Sequence, residues 1–535
     1  MALASSPLKQ NIKDDGVKRE KLSGRGNGLL ATRDFSPHAQ ILFVKRPLIL
    51  ALDKPQLETT CYACLRSQDA QVTSNGTEPG ELTLKTCMGC HTVRFCNKTC
   101  QKHAWTSYHK LECKLFAKLH PRVLPSAARG IIRLLLQLKH GLITDEEWSQ
   151  LRDLESHQND LCEAGGDRWE DISLMIKAIM AYSGTKESLE TVTRICCTLM
   201  VNSFTLTTPT FDPVGIVLHP LPAMMNHSCE PNAIVRFDIT SSTSPVPIPK
   251  VHHGSISVHA LRPIAKGEEI CITYIDATMS LERRQADLKL RYFFDCGCLM
   301  CQRGPRIEES NAEALPTLST ATNLLLSLSS KPRTHELYIP ELRRALGNLA
   351  ALDDLPLHSY PYAQLRHQLV LALIATQDFE EAMRQNLVLT SKIDPVLYEQ
   401  QHHPSRLVSK WRLLQLVKYC AADTSSEATA ETLSILTCVL LDGLANTCLK
   451  NAAGSNVTEV TDEKPDVPLG QFELMVYQAL VEVKHGDGKV IWQNYEARKS
   501  YWRAETAAWA EGIMARVLKD EPGGGLGGGQ LDLMQ

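Results

Sequence analysis

The sequence contains too little cysteine for a small disulfide-bonded scaffold. Its 18 cysteines among 535 residues are about 3.4%, whereas such scaffolds hold roughly 8–10%. It also lacks an excess of positive charge, because 57 basic and 60 acidic residues give a formal charge of -3. This balance disfavours nucleic acid as the main ligand.

Long hydrophobic segments are missing as well. The first residues hold no apolar core of the kind that a signal peptide needs, and no run of about 18 apolar residues occurs. We therefore expect a soluble intracellular protein without membrane contact. In a reducing compartment, clustered cysteines bind metal more often than they form disulfides.

The cysteines that are present cluster, and the first window contains eight candidate metal ligands. They run C-x2-C (Cys61, Cys64), C-x2-C (Cys87, Cys90), C-x3-C (Cys96, Cys100) and H-x3-C (His109, Cys113). Zinc takes four sulfur or nitrogen ligands in structural sites, so eight ligands predict two zinc sites, against the alternative of merely buried thiols. His103 is a competing nitrogen, but only His109 lies one helical turn before Cys113. Four protein ligands close each site, which favours a structural or recognition role over a catalytic one.

This window resembles the MYND zinc finger, through Gln101, Trp105 and the ending Lys110-Leu111-Glu112-Cys113. The resemblance implies an interleaved pairing, with Cys61, Cys64, Cys96 and Cys100 on one ion and Cys87, Cys90, His109 and Cys113 on the other. The sequence departs from the pattern by a long insertion between Cys64 and Cys87 and by one extra residue before His109. Neither departure removes a ligand.

A second set of motifs is spread along the chain. It consists of Arg25-Gly26-Asn27-Gly28-Leu29, Asn202-Ser203-Phe204, Asn226-His227-Ser228-Cys229-Glu230-Pro231-Asn232, Gly267-Glu268-Glu269-Ile270-Cys271-Ile272-Thr273-Tyr274 and Cys296-Gly297-Cys298-Leu299-Met300-Cys301. Taken singly, each has an ordinary reading as a turn, a buried cysteine or a strand tyrosine. The last motif, however, supplies three thiolates and leaves a zinc site one ligand short. Cys229 is the obvious fourth donor, which predicts a third zinc ion.

Together and in this order, with the finger inserted after the first motif, these segments resemble the SET and MYND domain family of protein-lysine methyltransferases. The resemblance covers roughly residues 20–305 and, weakly, the helical C-terminal region. It implies a multidomain α+β fold: a β-rich SET fold with an inserted MYND zinc finger, a helical SET insert, a post-SET zinc site and an all-α TPR-like C-terminal region. It also implies that the NHSC segment and the strand ending at Tyr274 thread together as a pseudoknot.

The same resemblance implies S-adenosyl-L-methionine as cofactor, bound on the opposite face from a narrow channel for the target lysine. The implied cofactor-binding residues are Arg25, Gly26, Asn27, Asn202, Asn226, His227, Tyr274 and Phe294. Tyr292 and Phe294 are expected to line the channel with Tyr274, which is the expected catalytic residue. An apolar aromatic channel lowers the pKa of lysine from about 10.4 toward neutrality. Ala223-Met224-Met225 stands where some relatives carry a serine.

The expected organisation has eight segments: a flexible N-terminus (1–20), the N-terminal SET part (21–60), the MYND finger (61–113), the helical insert (114–201), the SET core (202–276), the post-SET segment (277–305), the helical C-terminal region (306–520) and a flexible tail (521–535). Strands are predicted at residues 41–44, 48–52 and 256–260, with a further one alternating through Ile270, Ile272 and Tyr274. A capping box at Thr144 and Glu147 predicts one helix start, and Asp171 predicts another. Residues 362–395 resemble a single tetratricopeptide unit.

The main functional hypothesis is a protein-lysine N-methyltransferase acting on histone or non-histone lysines. The alternative is a non-catalytic adaptor in transcriptional regulation, in which the finger and the helical region bind peptides. The intact set Arg25, Asn27, Asn226, His227 and Tyr274 favours catalysis. We expect a monomer in the nucleus, the cytoplasm or both. The seven cysteines outside the three zinc sites are expected to be small core residues: Cys162, Cys196, Cys197, Cys271, Cys420, Cys438 and Cys448.

Overall fold

The fold was analysed in a computed structural model, which describes residues 16–68, 82–239, 254–304, 314–330, 334–352, 355–453 and 470–521. The chain divides into two compact units. The first comprises the chain to Ile275 together with Gln285–Met300, and the second comprises Asp276–Arg284 together with the chain from Cys301. The predicted loops at residues 75–81 and 241–250 lie outside the described residues.

Twelve strands lie among the described residues of the first unit. Their bounds are β1 Val17–Leu22, β2 Gly26–Ala31, β3 Gln40–Val44, β4 Ile49–Leu52, β5 Lys85–Thr86, β6 Arg94–Phe95, β7 Phe204–Thr207, β8 Pro213–Leu218, β9 Asn226–His227, β10 Ala233–Asp238, β11 Ser255–Ala260 and β12 Cys271–Ile272.

The helices up to residue 302 are short or medium in length. Their bounds are α1 Gln56–Thr59, α2 Lys98–Ala104, α3 Lys110–Leu119, α4 Ser126–Lys139, α5 Asp145–Arg152, α6 Gln158–Ala164, α7 Gly166–Ser183, α8 Leu189–Asn202, α9 Pro220–Ala223, α10 Leu281–Tyr292 and α11 Leu299–Gln302. A π-helical turn, Trp105–His109, joins α2 to α3.

The second unit is helical throughout its described residues from 314 onward. Its bounds are α12 Leu315–Ser330, α13 His335–Ala350, α14 Tyr362–Ala375, α15 Phe379–Val388, α16 Asp394–Leu397, α17 Pro404–Asp423, α18 Glu427–Ala453, α19 Gln471–His485, α20 Lys489–Ala497 and α21 Lys499–Asp520. A second π-helical turn, Leu389–Ile393, joins α15 to α16.

The strands form small sheets that combine segments from both sides of the finger. β3 pairs with β11 in the order β10-β11-β3, and β4 pairs with β8 in the order β4-β8-β7. Both pairings are antiparallel. Because β3 and β4 precede residue 61 while β8 and β11 follow residue 113, the finger is an insertion within one β-rich domain. The finger and the sheets also share one hydrophobic core.

The predicted strands are largely confirmed. β3 and β4 lie where the apolar runs placed them, and β11 covers the alternating segment at residues 256–260. β11 is buried on both faces, since its neighbours Ser255 and Ser257 are buried too. The strand expected through Ile270 and Tyr274 is shorter than predicted, because only Cys271 and Ile272 pair in register with β9.

The helical insert packs its first long helix directly on the sheet. A Cβ atom at Gly130 of α4 would lie 2.7 Å from Ile49 Cγ2 of β4, so the glycine allows this close approach. The capping box at Thr144 and Glu147 is confirmed at the start of α5. The predicted helix start at Asp171 is wrong, because α7 begins five residues earlier at Gly166, where two consecutive glycines adopt positive φ.

The helical unit contains the predicted hairpin as α14 and α15, with Ala382 fully buried between them. Whether this hairpin makes the region TPR-like stays a prediction.

By length and composition, Glu427–Leu449 of α18 is the one described helix that could cross a membrane. Since 61% of its most apolar window is buried in the protein, it equally meets the description of a core helix.

Three sequence-based expectations need correction. Among the described residues, strand β1 already lies at Val17–Leu22, partly within the segment expected to be a flexible N-terminus, and it pairs with β2 over its whole length. Glu521, expected to open a flexible tail, forms an ion pair with the buried Arg366. Cys162 is exposed, whereas the other six cysteines outside the zinc sites are buried. It lies on α6, a short helix in which only Leu161 is buried.

Candidate active site and zinc centres

The finger brings its eight candidate ligands together in two groups of four. One group is Cys61, Cys64, Cys96 and Cys100, and the other is Cys87, Cys90, His109 and Cys113. Within each group all ligand atoms lie within 4.8 Å of one another. These are the sets that the family resemblance implies, and a tetrahedral zinc ion needs such a set. His103 lies outside both groups, and its Nε2 is 3.4 Å from the hydroxyl of Ser107.

The crowding of these thiols is itself a reason for a cation. Cys96 Sγ lies 3.7 Å from Cys64 Sγ and 3.4 Å from Cys100 Sγ. Hydrogen bonds from Cys100 and Cys64 lower the pKa of Cys61 far below its ordinary value, whereas contacts with Cys100 and Cys61 raise the pKa of Cys64. Four neighbouring thiolates repel one another, so only a bound cation lets all four ionise together. The donor set therefore fits Zn²⁺.

The histidine of the second group is supported by a buried carboxylate. His109 Nε2 faces Cys87 Sγ at 3.3 Å and Cys90 Sγ at 3.7 Å, while its Nδ1 lies 3.5 Å from Glu112 Oε1. Both side chains of the His109 and Glu112 pair are 1% exposed. A carboxylate behind a zinc-binding histidine fixes the ring tautomer and orientation. Glu112 is thus a functional residue that the zinc motif alone did not identify.

Glu112 in turn connects the finger to the SET sheet. Arg133 of α4 donates from Nε to Glu112 Oε2 at 3.0 Å and from Nη1 to the carbonyl oxygen of Leu50 in β4 at 2.9 Å. The hydroxyl of Tyr62 donates to Glu112 Oε1 at 2.9 Å. Burial alone raises the pKa of Glu112, but the charge of Arg133 and the contact with His109 outweigh it and lower this pKa to about 2.

The third group consists of Cys229, Cys296, Cys298 and Cys301, whose sulfur atoms also lie within 4.8 Å of one another. A hydrogen bond from Cys229 lowers the pKa of Cys296 to about 3 despite burial. The backbone N–H of Cys296 donates to Gln285 Oε1 at 2.8 Å, and Gln285 Nε2 donates to the Cys296 carbonyl at 2.8 Å. This reciprocal pair holds the cysteine-rich segment on α10.

The glycine turn at the start of the chain meets two of the distant motifs. Gly24 and Gly26 adopt positive φ between β1 and β2. Arg25 donates from Nη1 to Glu269 Oε2 at 2.6 Å and from Nη2 to the carbonyl oxygen of His227 at 2.9 Å. Segments more than 200 residues apart in sequence therefore converge at one guanidinium.

Asn226 completes this cluster. Its Nδ2 donates to the Asn27 carbonyl at 3.2 Å and to Glu269 Oε1 at 2.8 Å. A Cβ atom at Gly28 of β2 would lie 2.5 Å from Leu22 Cδ1 and 3.1 Å from both Asn226 Nδ2 and Glu269 Oε1, so glycine leaves room for these side chains. Glu269 binds both Arg25 and Asn226, yet the sequence analysis quoted it only as part of a motif. Its position next to a second glutamate gave no signal to separate the two roles.

The strands that carry Asn226 and Cys271 lie side by side in parallel. β9 and β12 pair as Asn226 with Cys271 and His227 with Ile272. Asn232 fastens this pairing, because its Oδ1 accepts from the Cys271 N–H at 2.8 Å and its Nδ2 donates to the Glu269 carbonyl at 2.8 Å. Asn232 is 2% exposed. The two motifs thus lie side by side, and the threading expected of a pseudoknot stays a prediction.

Tyr274 lies at the centre of an aromatic cluster just beyond β12. Its ring centroid is 4.9 Å from that of Tyr292, 5.4 Å from that of His227 and 6.4 Å from that of Phe294. The Tyr274 hydroxyl donates to the carbonyl oxygen of Met225 at 2.6 Å. Burial raises the pKa of this phenol well above its ordinary value, so the hydroxyl is neutral at physiological pH.

His227 links Tyr274 to the third cysteine group. Its Nδ1 accepts from the Tyr274 backbone N–H at 3.0 Å, and its Nε2 lies 3.3 Å from Cys229 Sγ. A histidine whose Nδ1 accepts a hydrogen bond carries its proton on Nε2, which here faces the thiolate of Cys229. His227 therefore contacts both Tyr274 and the third cysteine group.

Asn202 is a predicted cofactor residue whose recorded hydrogen bonds go to backbone carbonyls outside the motifs of the site. Its Nδ2 donates to the carbonyl oxygens of Glu155 at 2.7 Å and Thr198 at 2.8 Å, so its recorded bonds hold the end of α8. Its role toward a cofactor stays a prediction, as do those of Arg25, Asn27, Asn226 and Phe294. The ring centroid of Phe294 lies 6.0 Å from that of His227, which places it with the aromatic cluster.

Comparison with known proteins gives matches for two segments of the chain. Residues 134–275 match the family model of the SET domain, and residues 61–113 match that of the MYND finger. The "SET domain and MYND-type zinc finger protein 6" of Schizosaccharomyces pombe is 28% identical over 401 residues, which cover 74% of this chain and 71% of that protein. The human "Histone-lysine N-methyltransferase SMYD3" is 28% identical over 298 residues, covering 54% of this chain and 61% of the relative.

A plant relative has the same character. The Arabidopsis thaliana "Histone-lysine N-methyltransferase ASHR1" is 26% identical over 317 residues, covering 57% of this chain and 59% of its own length. The chain thus spans about three fifths of the human and plant relatives. A solved structure, the SET domain of LSMT bound to lysine and AdoHcy, aligns with 91% of this chain and 89% of its own. The sequence identity is 14% and the TM-score is 0.27. Two segments of the chain thus match the SET domain and the MYND finger. The fungal relative is named for the same two domains, and the human and plant relatives are named as histone-lysine N-methyltransferases.

Proposed function

We propose that this protein is an S-adenosylmethionine-dependent protein-lysine N-methyltransferase. The observation that carries the proposal is the Tyr274 phenol, which is neutral, pinned to the Met225 carbonyl and surrounded by three rings. The polar cluster of Arg25, Asn226 and Glu269 belongs to the same compact unit. An aromatic channel combined with a polar cofactor cleft suits methyl transfer to an amine.

The glycine turn and its neighbours fit the cofactor. A Cβ atom at Gly24 or Gly26 would meet no heavy atom within 4 Å, so the backbone there is open to a ligand. The Arg25 side chain is 45% exposed although two hydrogen bonds fix its orientation. Arg25, Gly26, Asn27, Asn226, His227 and Phe294 would hold the cofactor. When bound, S-adenosylmethionine supplies an electrophilic methyl group on its sulfonium.

The aromatic cluster prepares the nucleophile. Methyl transfer requires a neutral amine, and apolar surroundings lower the pKa of a lysine that enters them. The faces of Tyr274, Tyr292 and Phe294 also attract the cationic product by cation–π contact. The rings thereby exclude water and align the amine, which is the main task for a displacement of this kind.

The Tyr274 hydroxyl orients the amine. Since its O–H donates a hydrogen bond to the Met225 carbonyl oxygen, its lone pairs are free to accept from the substrate N–H. A phenol that keeps its proton in this hydrogen bond does not act as a general base. We therefore assign Tyr274 a binding and alignment role at the reacting nitrogen, with no proton transfer.

The test is Tyr274→Phe, which removes one oxygen and keeps the ring. We expect transfer of labelled methyl from S-adenosylmethionine to lysine to fall about a hundredfold, because misalignment of reacting groups costs that much. Cofactor binding by calorimetry and the content of three zinc ions per chain are expected to stay unchanged. Tyr182→Phe, on α7, removes a hydroxyl outside the site and serves as the matched control.

The substrate and the cellular setting complete the proposal. We propose a histone tail or another protein lysine as substrate, and the nucleus, the cytoplasm or both as the location.

Met88 and Trp105 of the finger are 80% and 43% exposed. The second candidate function is a peptide-binding adaptor in transcriptional regulation, and these two side chains are the groups that such an adaptor would present to a peptide. Wild-type protein that binds no S-adenosylmethionine would leave the adaptor as the better account.

A further inference from the structure

The helical unit contains a cavity remote in sequence from the SET motifs. Its volume is about 550 Å³, within the range of small-molecule sites. Side chains of α17, α18 and α21 line it, and four of these are cationic: Arg406, Lys410, Lys499 and Arg503. Asn446 and Gly443 line the α18 wall.

On the α21 side, two cations share one carboxylate. Lys499 Nζ lies 2.8 Å from Asp442 Oδ2, and Arg503 Nη2 lies 2.5 Å from the same oxygen. Asn446 Nδ2 and the Tyr495 hydroxyl also donate to Asp442, at 2.9 and 2.8 Å. Asp442 is thus saturated with donors, and one positive charge on this side is unmatched.

On the α17 side, two cations have little compensation. Arg406 is 9% exposed, and its Nη1 donates to the carbonyl oxygens of Tyr398 and Glu399 at 3.1 and 3.2 Å. Its Nε is buried without a hydrogen-bond partner. Lys410 has neither a hydrogen bond nor an ion pair within the described part of the chain. Asp394 is the carboxylate that attracts both cations, and it matches one of the two charges.

Burial and the neighbouring charge of Arg406 lower the pKa of Lys410. The Lys410 ammonium has no hydrogen-bond acceptor among the described residues. A bound anion would accept from it and offset both the desolvation and the repulsion by Arg406. Two of the four lining cations bind Asp442, and Asp394 attracts Arg412 as well as the two cations of the α17 side, so positive charge is in excess around the cavity. A phosphate monoester at neutral pH carries a charge of about -1.5 to -2, which matches this excess.

We propose that this pocket binds a small phosphorylated polyol, with its phosphate between the α17 and α21 cations and its hydroxyls on the amide side chains. None of the described residues that line the cavity is aromatic or aliphatic. A nucleobase would find no ring to stack on, and the apolar side chains of a peptide would find no surface. A compact, polar and doubly charged ligand is what remains.

The walls are rigid enough to be preformed. Leu407 and Leu414 of α17, Leu441 and Leu444 of α18 and Tyr495 of α20 lie buried in one hydrophobic cluster behind the cavity. Pre-ordered side chains reduce the entropy lost on binding. The cations are therefore held close together before any ligand arrives, although they repel one another.

Isothermal titration calorimetry of the full chain with glycerol phosphate tests the proposal, at constant ionic strength to keep screening equal. We expect saturable one-to-one binding. Lys410→Met is expected to weaken it at least about tenfold, because a charge-assisted hydrogen bond is lost. Lys418→Met on the same helix, outside the pocket, is the matched control and is expected to bind as the wild type does.

A second pair of variants separates charge from folding. A Cβ atom at Gly443 would meet nothing within 4 Å, so side chains fit there. Gly443→Asp and Gly443→Asn have nearly the same shape, and only the aspartate is expected to weaken binding. Equal affinity of these two variants, equal affinity of Lys410→Met and wild type, or no saturable binding would overturn the proposal. Binding of a phosphoserine peptide but not of glycerol phosphate would overturn it too.

Discussion

The buried pair of Glu112 and Arg133 gives the sharpest prediction about stability. Its atoms Glu112 Oε2 and Arg133 Nε are 3.0 Å apart, and their side chains are 1% and 11% exposed. The pair stands behind the zinc-binding histidine of the finger and holds the carbonyl of Leu50 in the SET sheet. We therefore expect changes here to affect zinc affinity and the folding of the whole first unit.

The magnitude follows from the cost of leaving one charge unpaired. Removing one partner of a buried ion pair costs about 3–5 kcal/mol. Glu112→Gln and Arg133→Met should each lower the free energy of unfolding by about that amount. Glu112→Gln should also weaken zinc binding about 10- to 100-fold.

The assay is a double-mutant cycle. Urea unfolding of the wild type, the two single variants and the double variant yields the coupling energy, while a chromophoric chelator reports zinc release. Because the double variant leaves neither charge unpaired, we expect it to be more stable than the sum of the single effects by about 2–4 kcal/mol. The exposed Arg122→Met is the control and should change stability by less than about 0.5 kcal/mol.

Additive effects in this cycle would refute the reasoning, because the two side chains would then act independently. Zinc release from Glu112→Gln at the wild-type rate would refute the proposed support of His109. A destabilised Arg133→Met with normal zinc release would instead assign the arginine to the sheet alone, through its bond to Leu50.

Three further predictions concern other parts of the molecule. Glu269→Gln removes the charge that holds Arg25 and should weaken S-adenosylmethionine binding at least about tenfold by calorimetry, while three zinc ions remain; unchanged affinity would contradict its role. Cys298→Ser should reduce the zinc content from three ions to two and abolish methyl transfer, whereas Cys162→Ser should keep both. Burial raises the pKa of Asp394 from 3.8 to about 6, so the folded chain binds the extra proton and its stability falls as pH rises from 3.8 to 6. Asp394→Asn should therefore raise the free energy of unfolding at pH 7.5 by about 1–3 kcal/mol, and the gain should vanish below pH 4.

The zinc ligands were the most predictable part of the site. Each C-x2-C turn and the H-x3-C segment at the start of α3 bring two ligands together through local backbone geometry alone, so spacing is enough to find them. The capping box at Thr144 was predictable for the same reason, since both of its hydrogen bonds lie within four residues. Asp171 misled because a good capping residue also occurs inside helices, and the adjacent glycines had already started α7.

The roles of Glu269 and Arg133 could not be predicted from the sequence. Glu268 and Glu269 are adjacent and chemically identical, yet Glu268 faces Arg262 at the surface while Glu269 binds Arg25 and Asn226. The direction of each side chain depends on pairing with the distant strand β2, because Glu269 forms an antiparallel bridge with Leu30 and the Ala31 N–H donates to the Glu268 carbonyl at 2.9 Å. Arg133 lies outside the finger motif altogether, and only the packing of α4 on β4 brings it to Glu112.

Three ligand sets, a glycine turn, a strand tyrosine and a helical C-terminal region could be predicted from the amino-acid sequence. These features depend on residue type and on contacts between near neighbours in the chain. Which residues act together depends on the folded arrangement. Arg25 reaches His227 and Glu269, His227 joins Tyr274 to a cysteine group, and four cations of the helical unit surround one cavity. These contacts form only when distant segments of the chain pack together, so no local sequence pattern predicts them.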